Sequence, residues 1–279
     1  MKKINFLIYF SFIFSQAEFQ IRTIPNSVFM LSNHNGFTAI NENDKSKNTF
    51  NFDFIHYPAN INYANFQFKN YTLSILNYGE LKEQIDNNIT KRFNAYEIDV
   101  QYHFKKEIVE KFIFDASMGI AYSQIDYFNS SAILSNYKFF TKLNEKHTHI
   151  ALSINNLGII TNSYTNIHQD LPTQIQLGII KHINTKNIIL GYDIIYHYNI
   201  EEIENIVCIQ FPIFESIKIN ISSSNFRKDL LTGNWRRDWL YGLAGGIKIE
   251  SDKLVSNIGI SNLGDSGFVY GISIDYKVH

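Results

Sequence analysis

The chain has 279 residues, a formal net charge of −1 and a single cysteine, Cys208. A charge this close to zero gives no support for nucleic-acid binding, and one cysteine excludes both an intramolecular disulfide and a cysteine metal cluster. Aromatic residues are abundant, with 23 Phe and 17 Tyr, whereas only four prolines occur. This composition favours β-structure, because aromatic side chains suit strands and proline is excluded from the middle of a sheet.

The first 17 residues have the pattern of a secretory signal peptide. Lys2 and Lys3 supply the positive charge that starts such a signal, and Ile4–Phe14 is almost entirely apolar. Ser15–Ala17 has the small residues of a cleavage site. The apolar run of about 11 residues is too short for a membrane-spanning helix, which needs about 20. We therefore predict cleavage after residue 17 and a mature chain that functions outside the cytoplasm.

Residues 18–47 form a second segment, which shows no periodic pattern. Pro25, Gly36 and an Asn-rich run interrupt it, so the sequence predicts coil with one short helix. Residues 48–279 differ, because apolar and polar residues alternate along nearly their whole length. The predicted organisation is a signal peptide at 1–17, a coil at 18–47 that is a candidate plug, and one β-domain at 48–279.

The alternation predicts about 14 β-strands, because successive side chains on a strand point to opposite faces. One pair lies within Lys146–Asn184, where Ile150, Leu152 and Ile154 alternate with polar or small residues. Most strands are close to the ~9–11 residues that cross a bilayer at a tilt. The other predicted strands are Thr49–His56, Asn60–Phe68, Tyr71–Asn77, Phe93–Phe104, Phe112–Tyr122, Ile133–Thr141, Ile188–Tyr198, Asn205–Phe211, Ser216–Ser222, Tyr241–Glu250, Leu254–Ser261 and Phe268–Val278.

Strands with one apolar and one polar face fit either a soluble β-sandwich or a membrane barrel with a wet lumen. The lengths of the links between strands distinguish these two folds. Every second link is short, whereas the links between them are often long, as at Gly79–Arg92, Leu157–Leu171 and Ser223–Trp239. Outer-membrane barrels have this arrangement of short periplasmic turns and long extracellular loops. We therefore predict an all-β fold, a transmembrane antiparallel β-barrel that contacts outer-membrane lipid.

Charged residues on the predicted inner face also favour the barrel. Glu97 and Asp99 alternate with apolar residues on one strand, and a charge is costly in a dry core but ordinary in a wet lumen. Together with His103 on the same face, these acids are predicted to face Lys218 and Lys248 across the interior. Such an arrangement fits either a structural ion-pair network or a path for a substrate.

Four short motifs resemble a known family. Tyr57–Ala64 reads YPANINYA, and Leu76–Gly79 reads LNYG before an acidic, Asn-rich loop. Ile150–Gly158 contains ALSINNLG, and Leu171–Gly178 reads LPTQIQLG. These motifs resemble the PorV/PorQ family, and the PorQ members are the nearer in length. The family consists of FadL-like, 14-stranded outer-membrane barrels of Bacteroidota-type bacteria that serve the type IX secretion system.

The resemblance implies a non-enzymatic barrel without a cofactor, which anchors or docks cell-surface proteins of the secretion system. The alternative is a FadL-type channel for small hydrophobic molecules, which predicts an apolar lumen pocket and a break in one strand that opens toward lipid. A purely structural barrel and a barrel hydrolase are more distant alternatives. The chain departs from the family at Asn41–Asn48, where an Asn-Pro-Ala segment is absent, and at Tyr276–His279, which lacks a final Phe.

The loop at residues 234–239 is the strongest candidate for partner binding. Trp235 and Trp239 flank Arg236 and Arg237, and Trp and Arg often dominate the binding energy of protein interfaces. Trp residues also anchor barrels at the lipid boundary, where arginines can bind lipid phosphates. We favour the lipid boundary for Trp239, whereas the other three residues fit either role.

The sequence gives little support for catalysis or metal binding. His149, Ser153 and Asn155 share one strand face, but residues four apart on a strand lie about 13 Å apart, which is too far for a base to reach a nucleophile. Other histidines lack the spacing of a metal site, namely His168, His182 and His197. Inward glycines leave room in the lumen that residues 18–46 could fill, and these are Gly119, Gly178, Gly191, Gly259 and Gly271.

Overall fold

A computed structural model of the chain describes residues 19–36, 49–85, 88–109, 112–144, 148–164, 170–183 and 187–277. The predicted signal peptide, the segment Asn41–Asn48 and His168 lie outside these residues. Among the described residues no helix is both long enough and apolar enough to cross a membrane. The strands form one closed sheet, and each strand pairs antiparallel with its neighbours in the sequence.

Fourteen strands build the barrel, as the alternation predicts. The first and last strands close it through a register that runs from Thr49 opposite Lys277 to His56 opposite Tyr270. The strands are β1 Thr49–Tyr57, β2 Ile61–Phe68, β3 Tyr71–Ile85, β4 Asn88–Val109, β5 Phe112–Ile125, β6 Phe128–Asn144, β7 Thr148–Asn162, β8 Gln174–Ile183, β9 Ile188–His197, β10 Glu202–Phe214, β11 Ile217–Ser224, β12 Leu243–Glu250, β13 Leu254–Asn262 and β14 Phe268–Lys277.

The two faces of each strand have the predicted orientation. Leu152 on β7 is 41 % exposed and Ser153 beside it is 0 % exposed, because the first points out of the barrel and the second points into it. The same alternation of outward apolar and inward polar or small side chains recurs around the sheet. The outer surface is therefore a belt of exposed aliphatic and aromatic side chains. Such a belt needs lipid around it. The prediction of a transmembrane antiparallel β-barrel is confirmed.

The strands differ in length, and parts of the predicted loops belong to the longer strands. Strand β4 has 22 residues, whereas β11 and β12 have eight each. The predicted loop Gly79–Arg92 is instead a two-stranded ribbon, in which the ladder continues from Glu80 opposite Asn94 to Ile85 opposite Asn88. The ribbon forms because pairing within the hairpin satisfies backbone groups that an irregular loop would leave to water.

Two other segments that were predicted as links are also partly β-strand. Within Leu157–Leu171, strand β7 continues to Asn162 against β6. The predicted turn Lys105–Lys111 is largely strand, because β4 runs to Val109 and β5 begins at Phe112. Short turns such as Lys69-Asn70 mark the periplasmic end, since outer-membrane barrels keep their turns short on that side. The opposite end, which holds residues 225–242, is therefore the extracellular mouth.

The outward position of Leu152 predicts a depth-dependent cost for a charge. Leu152→Arg should lower barrel stability by about 2–4 kcal/mol, because the arginine would lie in the middle of the lipid belt. Thr148→Arg is the matched control, since Thr148 is on the same face of β7 but at the end of the strand. It should cost about 0–1 kcal/mol. Equilibrium unfolding in urea with lipid vesicles measures both, and equal costs would contradict the assigned depth.

Candidate functional site in the barrel interior

The interior of the barrel is occupied by residues Phe19–Gly36, which we call the plug. The plug contains a 3₁₀ turn at Gln20–Arg22 and one helical turn, α1, at Val28–Leu31. Ser27 caps α1, because its hydroxyl accepts a hydrogen bond from the Met30 amide at 3.1 Å. The apolar side chains of the plug are buried, and these are Phe19, Ile21, Val28, Phe29 and Leu31.

Acidic side chains on the inner wall hold the plug. The Ile21 amide donates to Glu97 Oε2 at 2.8 Å, and the Val28 amide donates to Asp53 Oδ1 at 3.0 Å. Arg22 forms a buried ion pair with Asp99, with 2.7 Å between Nη2 and Oδ1. Hydrogen bonds to a charged partner are about twice as strong as neutral ones. The plug is therefore held by three carboxylates, one on β1 and two on β4.

Glycines on β12, β13 and β14 let α1 approach the opposite wall. A Cβ at Gly246 would lie 2.7 Å from Ser32 Cβ, and one at Gly259 would lie 2.8 Å from the Val28 carbonyl oxygen. A Cβ at Gly271 would lie 2.9 Å from Val28 Cγ2. Real Cβ atoms do not come this close to other atoms, so glycine is required where the plug helix rests on the wall.

The five polar lumen residues that the sequence singles out contact the plug, β3 and Glu250. Glu97 and Asp99 bind the plug, and His103 Nε2 lies 2.9 Å from Thr72 Oγ1. Two lysines share a different acid, Glu250, with 2.7 Å to Lys248 and 3.3 Å to Lys218. The role of these five residues, as a structural network or as a path for a substrate, stays a prediction. The plug lies inside the barrel and provides the partners of Glu97 and Asp99.

A cavity of about 300 Å³ lies at the extracellular mouth, and we call it the mouth cavity. The plug lines its floor with Pro25 and Leu31, and Leu230 covers it from the long loop. Most of the lining is apolar, and other residues that contribute to it are Tyr57, Phe226, Leu263 and Val269. The volume is at the lower end of the range for small-molecule pockets, which are typically apolar with a few polar groups.

Polar residues also border the mouth cavity, and these are His34, Asn35, Glu204, Ser224, Arg227, Ser261 and Asn262. His34 Nδ1 lies 2.7 Å from Ser222 Oγ, and Glu204 accepts a hydrogen bond from Ser224 Oγ at 2.6 Å. Burial lowers the pKa of His34, while the nearby carboxylate of Glu204 partly opposes this. His34 is therefore neutral at pH 7, and the cavity keeps its apolar character.

A buried apolar cluster extends from the mouth cavity to an irregular point in the wall. Leu31 and Val269 belong to this cluster, which also contains Leu76 and has Tyr78 packed against it. Beside Tyr78 the register between β3 and β4 shifts, and Gly79 has a φ of +72°. A residue with a side chain would be strained in this conformation. The apolar cluster that borders the mouth cavity thus reaches the β-bulge at Tyr78 and Gly79.

The long loop at residues 225–242 presents the predicted partner-binding residues to solvent. Trp235 is 75 % exposed and Trp239 is 61 % exposed. The guanidinium carbon of Arg236 lies 5.9 Å from the centre of the Trp235 ring. The side chain of Arg237 lies outside the described part of the structure.

Two residues fix the shape of this loop. Asp238 Oδ1 accepts hydrogen bonds from the amide and the hydroxyl of Thr232 at 3.0 and 2.8 Å. Burial of this carboxylate opposes ionisation, but the hydrogen bonds from Thr232 and the following amides lower the pKa of Asp238. Arg227 donates to the carbonyl oxygens of Asp238 and Trp239, both at 3.2 Å. Sequence reasoning missed Thr232 and Arg227, since neither belongs to the Trp–Arg motif.

The residues considered for catalysis do not form a triad. Asn155 Nδ2 donates to Ser153 Oγ at 3.1 Å, whereas the His149 ring lies 5.3 Å from the ring of His182 on β8. His197 Nε2 lies 3.1 Å from Glu204. Among the described residues no group of three His, Cys, Asp or Glu side chains has the arrangement of a metal site.

Comparison with known proteins supports the fold. No family model and no curated protein matches the chain. The toluene transporter TbuX of Ralstonia pickettii matches with a TM-score of 0.51 and 8 % identity, over 83 % of this chain and 89 % of TbuX. A deltaS2S3 mutant of the monoaromatic hydrocarbon channel TodX, a Pseudomonas putida protein, matches with a TM-score of 0.51 and 10 % identity, over 82 % and 89 % of the two chains.

These matches agree with the geometry described above. The closed antiparallel barrel, its 14 strands and its apolar belt are features that the chain shares with FadL-like barrels. At identities of 8–10 %, these matches show the fold but not a shared substrate or function. The protein is an outer-membrane β-barrel with a FadL-like fold.

The glycine contacts predict a way to displace the plug without breaking the barrel. Gly259→Val should push α1 away from the wall, since overpacking typically costs 1–3 kcal/mol. Cys208 reports the displacement, because it is buried and its Sγ donates to the plug carbonyl of Asn33. Each 1.4 kcal/mol raises the displaced population about tenfold. A water-soluble maleimide should therefore label Cys208 about tenfold faster or more.

The control for this experiment is Gly245→Val. Gly245 is on the neighbouring strand but faces outward, and a Cβ there would meet only the Asn220 carbonyl oxygen, at 3.3 Å. Its labelling rate should equal that of the wild type. Equal labelling of both variants at the wild-type rate would show that the glycines do not support the plug.

Proposed function

We propose that this protein is a non-enzymatic outer-membrane channel for small hydrophobic molecules, which enter through the mouth cavity. The observation that carries the proposal is the cavity itself, about 300 Å³ and largely apolar in surface, at the extracellular end of the lumen. An apolar molecule that enters it leaves water for an apolar surface, which provides the driving force for capture.

The polar interior below the mouth cavity favours a sideways path over a straight one. Asp53, Asn65 and Ser74 are among the buried polar side chains that follow the apolar cluster toward the periplasm. An apolar molecule would have to disrupt their hydrogen bonds in order to pass. The apolar cluster leads instead to the bulge at Tyr78 and Gly79. We infer that the molecule leaves the barrel there and enters the lipid.

A pair of adjacent leucines provides a matched test of this function. Leu230 lines the mouth cavity, whereas Leu231 is 47 % exposed and does not line it. Leu230→Asp places a charge in the cavity and should lower the uptake of radiolabelled toluene by cells about tenfold, because an unpaired charge in an apolar site is costly. Leu231→Asp should leave uptake unchanged. Equal uptake by the two variants would contradict the proposal, as would uptake no faster than in cells lacking the protein.

Docking of surface proteins in type IX secretion is the second candidate function. The resemblance to the PorV/PorQ family suggests it, and one observation favours it, namely the exposed Trp235 beside Arg236 on a loop that is already ordered. Trp and Arg are enriched where binding energy concentrates. A loop fixed by Asp238 and Arg227 loses less conformational entropy when it binds.

The docking function predicts a phenotype that a channel would not show. Trp235→Ala combined with Arg236→Ala should leave the barrel heat-modifiable in the outer membrane and leave toluene uptake unchanged. The same variant should release secretion-system partners from crosslinked outer membranes, because the loop loses its exposed aromatic and charged contacts. Lys228→Ala, on the same loop, is the control. Retention of all crosslinked partners by the double variant would exclude docking through this loop.

A further inference from the structure

Most polar side chains that line the mouth cavity already have a hydrogen-bond partner within the protein. Arg227 donates to two carbonyl oxygens of the long loop, and Asn262 Oδ1 accepts a hydrogen bond from the Gly264 amide at 2.9 Å. The bonds of His34 and Glu204 are described above. A bound molecule is not needed to pair these groups.

The hydroxyl of Tyr57 is an exception. Tyr57 is the last residue of β1 and lines the mouth cavity, but its buried hydroxyl has no hydrogen-bond partner among the described residues. The surroundings explain this, because Tyr57 packs against the apolar cluster that contains Leu31, Leu76 and Val269. Buried tyrosine hydroxyls usually have a partner, and a buried polar group without one is unfavourable. The partner of this hydroxyl is therefore expected to come from outside the chain.

A second unpaired atom, Oδ1 of Asn35, lies in different surroundings. Asn35 lines the mouth cavity and also a smaller polar space of about 90 Å³ deeper in the barrel. That space is large enough for water, so water can pair with Asn35 there. Of the two spaces, Tyr57 lines only the mouth cavity. A partner for the Tyr57 hydroxyl must therefore reach it from the mouth cavity, whose surface is mainly apolar.

We propose that the mouth cavity selects small apolar molecules that carry one oxygen atom, such as phenols, and that Tyr57 recognises this oxygen. The inference rests on the proposed channel function and specifies its substrate class. The apolar part of the molecule contacts side chains such as Leu31 and Leu230, which line the cavity. Its oxygen accepts a hydrogen bond from the Tyr57 hydroxyl. A hydrocarbon of the same shape leaves that hydroxyl unpaired, so the site discriminates between the two by one hydrogen bond.

p-Cresol and p-xylene are matched probes for this site, because they differ only in a hydroxyl group that replaces a methyl group. Each is added unlabelled to cells that take up radiolabelled toluene, and the concentration that halves the uptake is measured. Tyr57→Phe should raise the ratio of the p-cresol value to the p-xylene value about fivefold, as expected for the loss of one hydrogen bond. This substitution removes only an oxygen that has no partner among the described residues, so the barrel should stay heat-modifiable.

Tyr241→Phe is the control variant. The Tyr241 hydroxyl donates to Asp265 Oδ1 at 2.7 Å, and Tyr241 does not line the mouth cavity, so the ratio should keep its wild-type value. An unchanged ratio in Tyr57→Phe would overturn the inference but not the channel function, which toluene uptake by the wild type tests separately. Equal shifts in both variants would overturn the inference as well. Toluene uptake by the wild type no faster than in cells lacking the protein would overturn both.

Discussion

The buried carboxylates of the inner wall need partners, and the rest of the interior follows from that requirement. Asp53, Glu97 and Asp99 are removed from bulk water inside the barrel, and an unpaired buried charge is among the most costly features a protein can contain. The plug pairs all three through two backbone amides and Arg22. The wall and the plug are thus interdependent, since each satisfies the polar groups of the other.

With the plug in place, the lumen contains one mainly apolar space and one mainly polar space. Above α1, apolar plug residues such as Leu31 meet Val269 and the long loop, which leaves the mouth cavity. Beside Arg22 a smaller polar space of about 90 Å³ lies between the plug and wall residues such as Asp99 and Lys138. The first space favours a hydrophobic molecule, because most of its surface is apolar. Any solute that crosses the full length of the barrel therefore requires the plug to move.

The features that the sequence predicts well are local, and the features it misses depend on distant contacts. The alternation around Leu152 and Ser153 shows which residues face lipid and which face the lumen, because a period of two is visible within one strand. Strand ends were harder to predict, since the ribbon of β3 and β4 depends on pairing and not on composition. The bond from Ile21 to Glu97 spans 76 positions, so no short motif indicates it.

Covalent attachment of the plug to the wall tests the channel account most directly. The plug residues Ile21, Val28 and Leu31 pack in the apolar cluster that leads to the bulge, so the plug must shift for a molecule to pass. A Cβ at Gly36 would lie 3.1 Å from Sγ of Cys208, close to the ~3 Å that separates these atoms in a disulfide. The same Cβ would lie 2.8 Å from Asp193 Oδ2, so this carboxylate must shift in any variant with a side chain at position 36. Gly36→Cys should therefore form a disulfide with the native cysteine, and Gly36→Ser is the control. We expect toluene uptake to fall about tenfold in the oxidised variant and to recover when dithiothreitol reduces it. Uptake that is the same before and after reduction would contradict the account, because the plug would then have no part in transport.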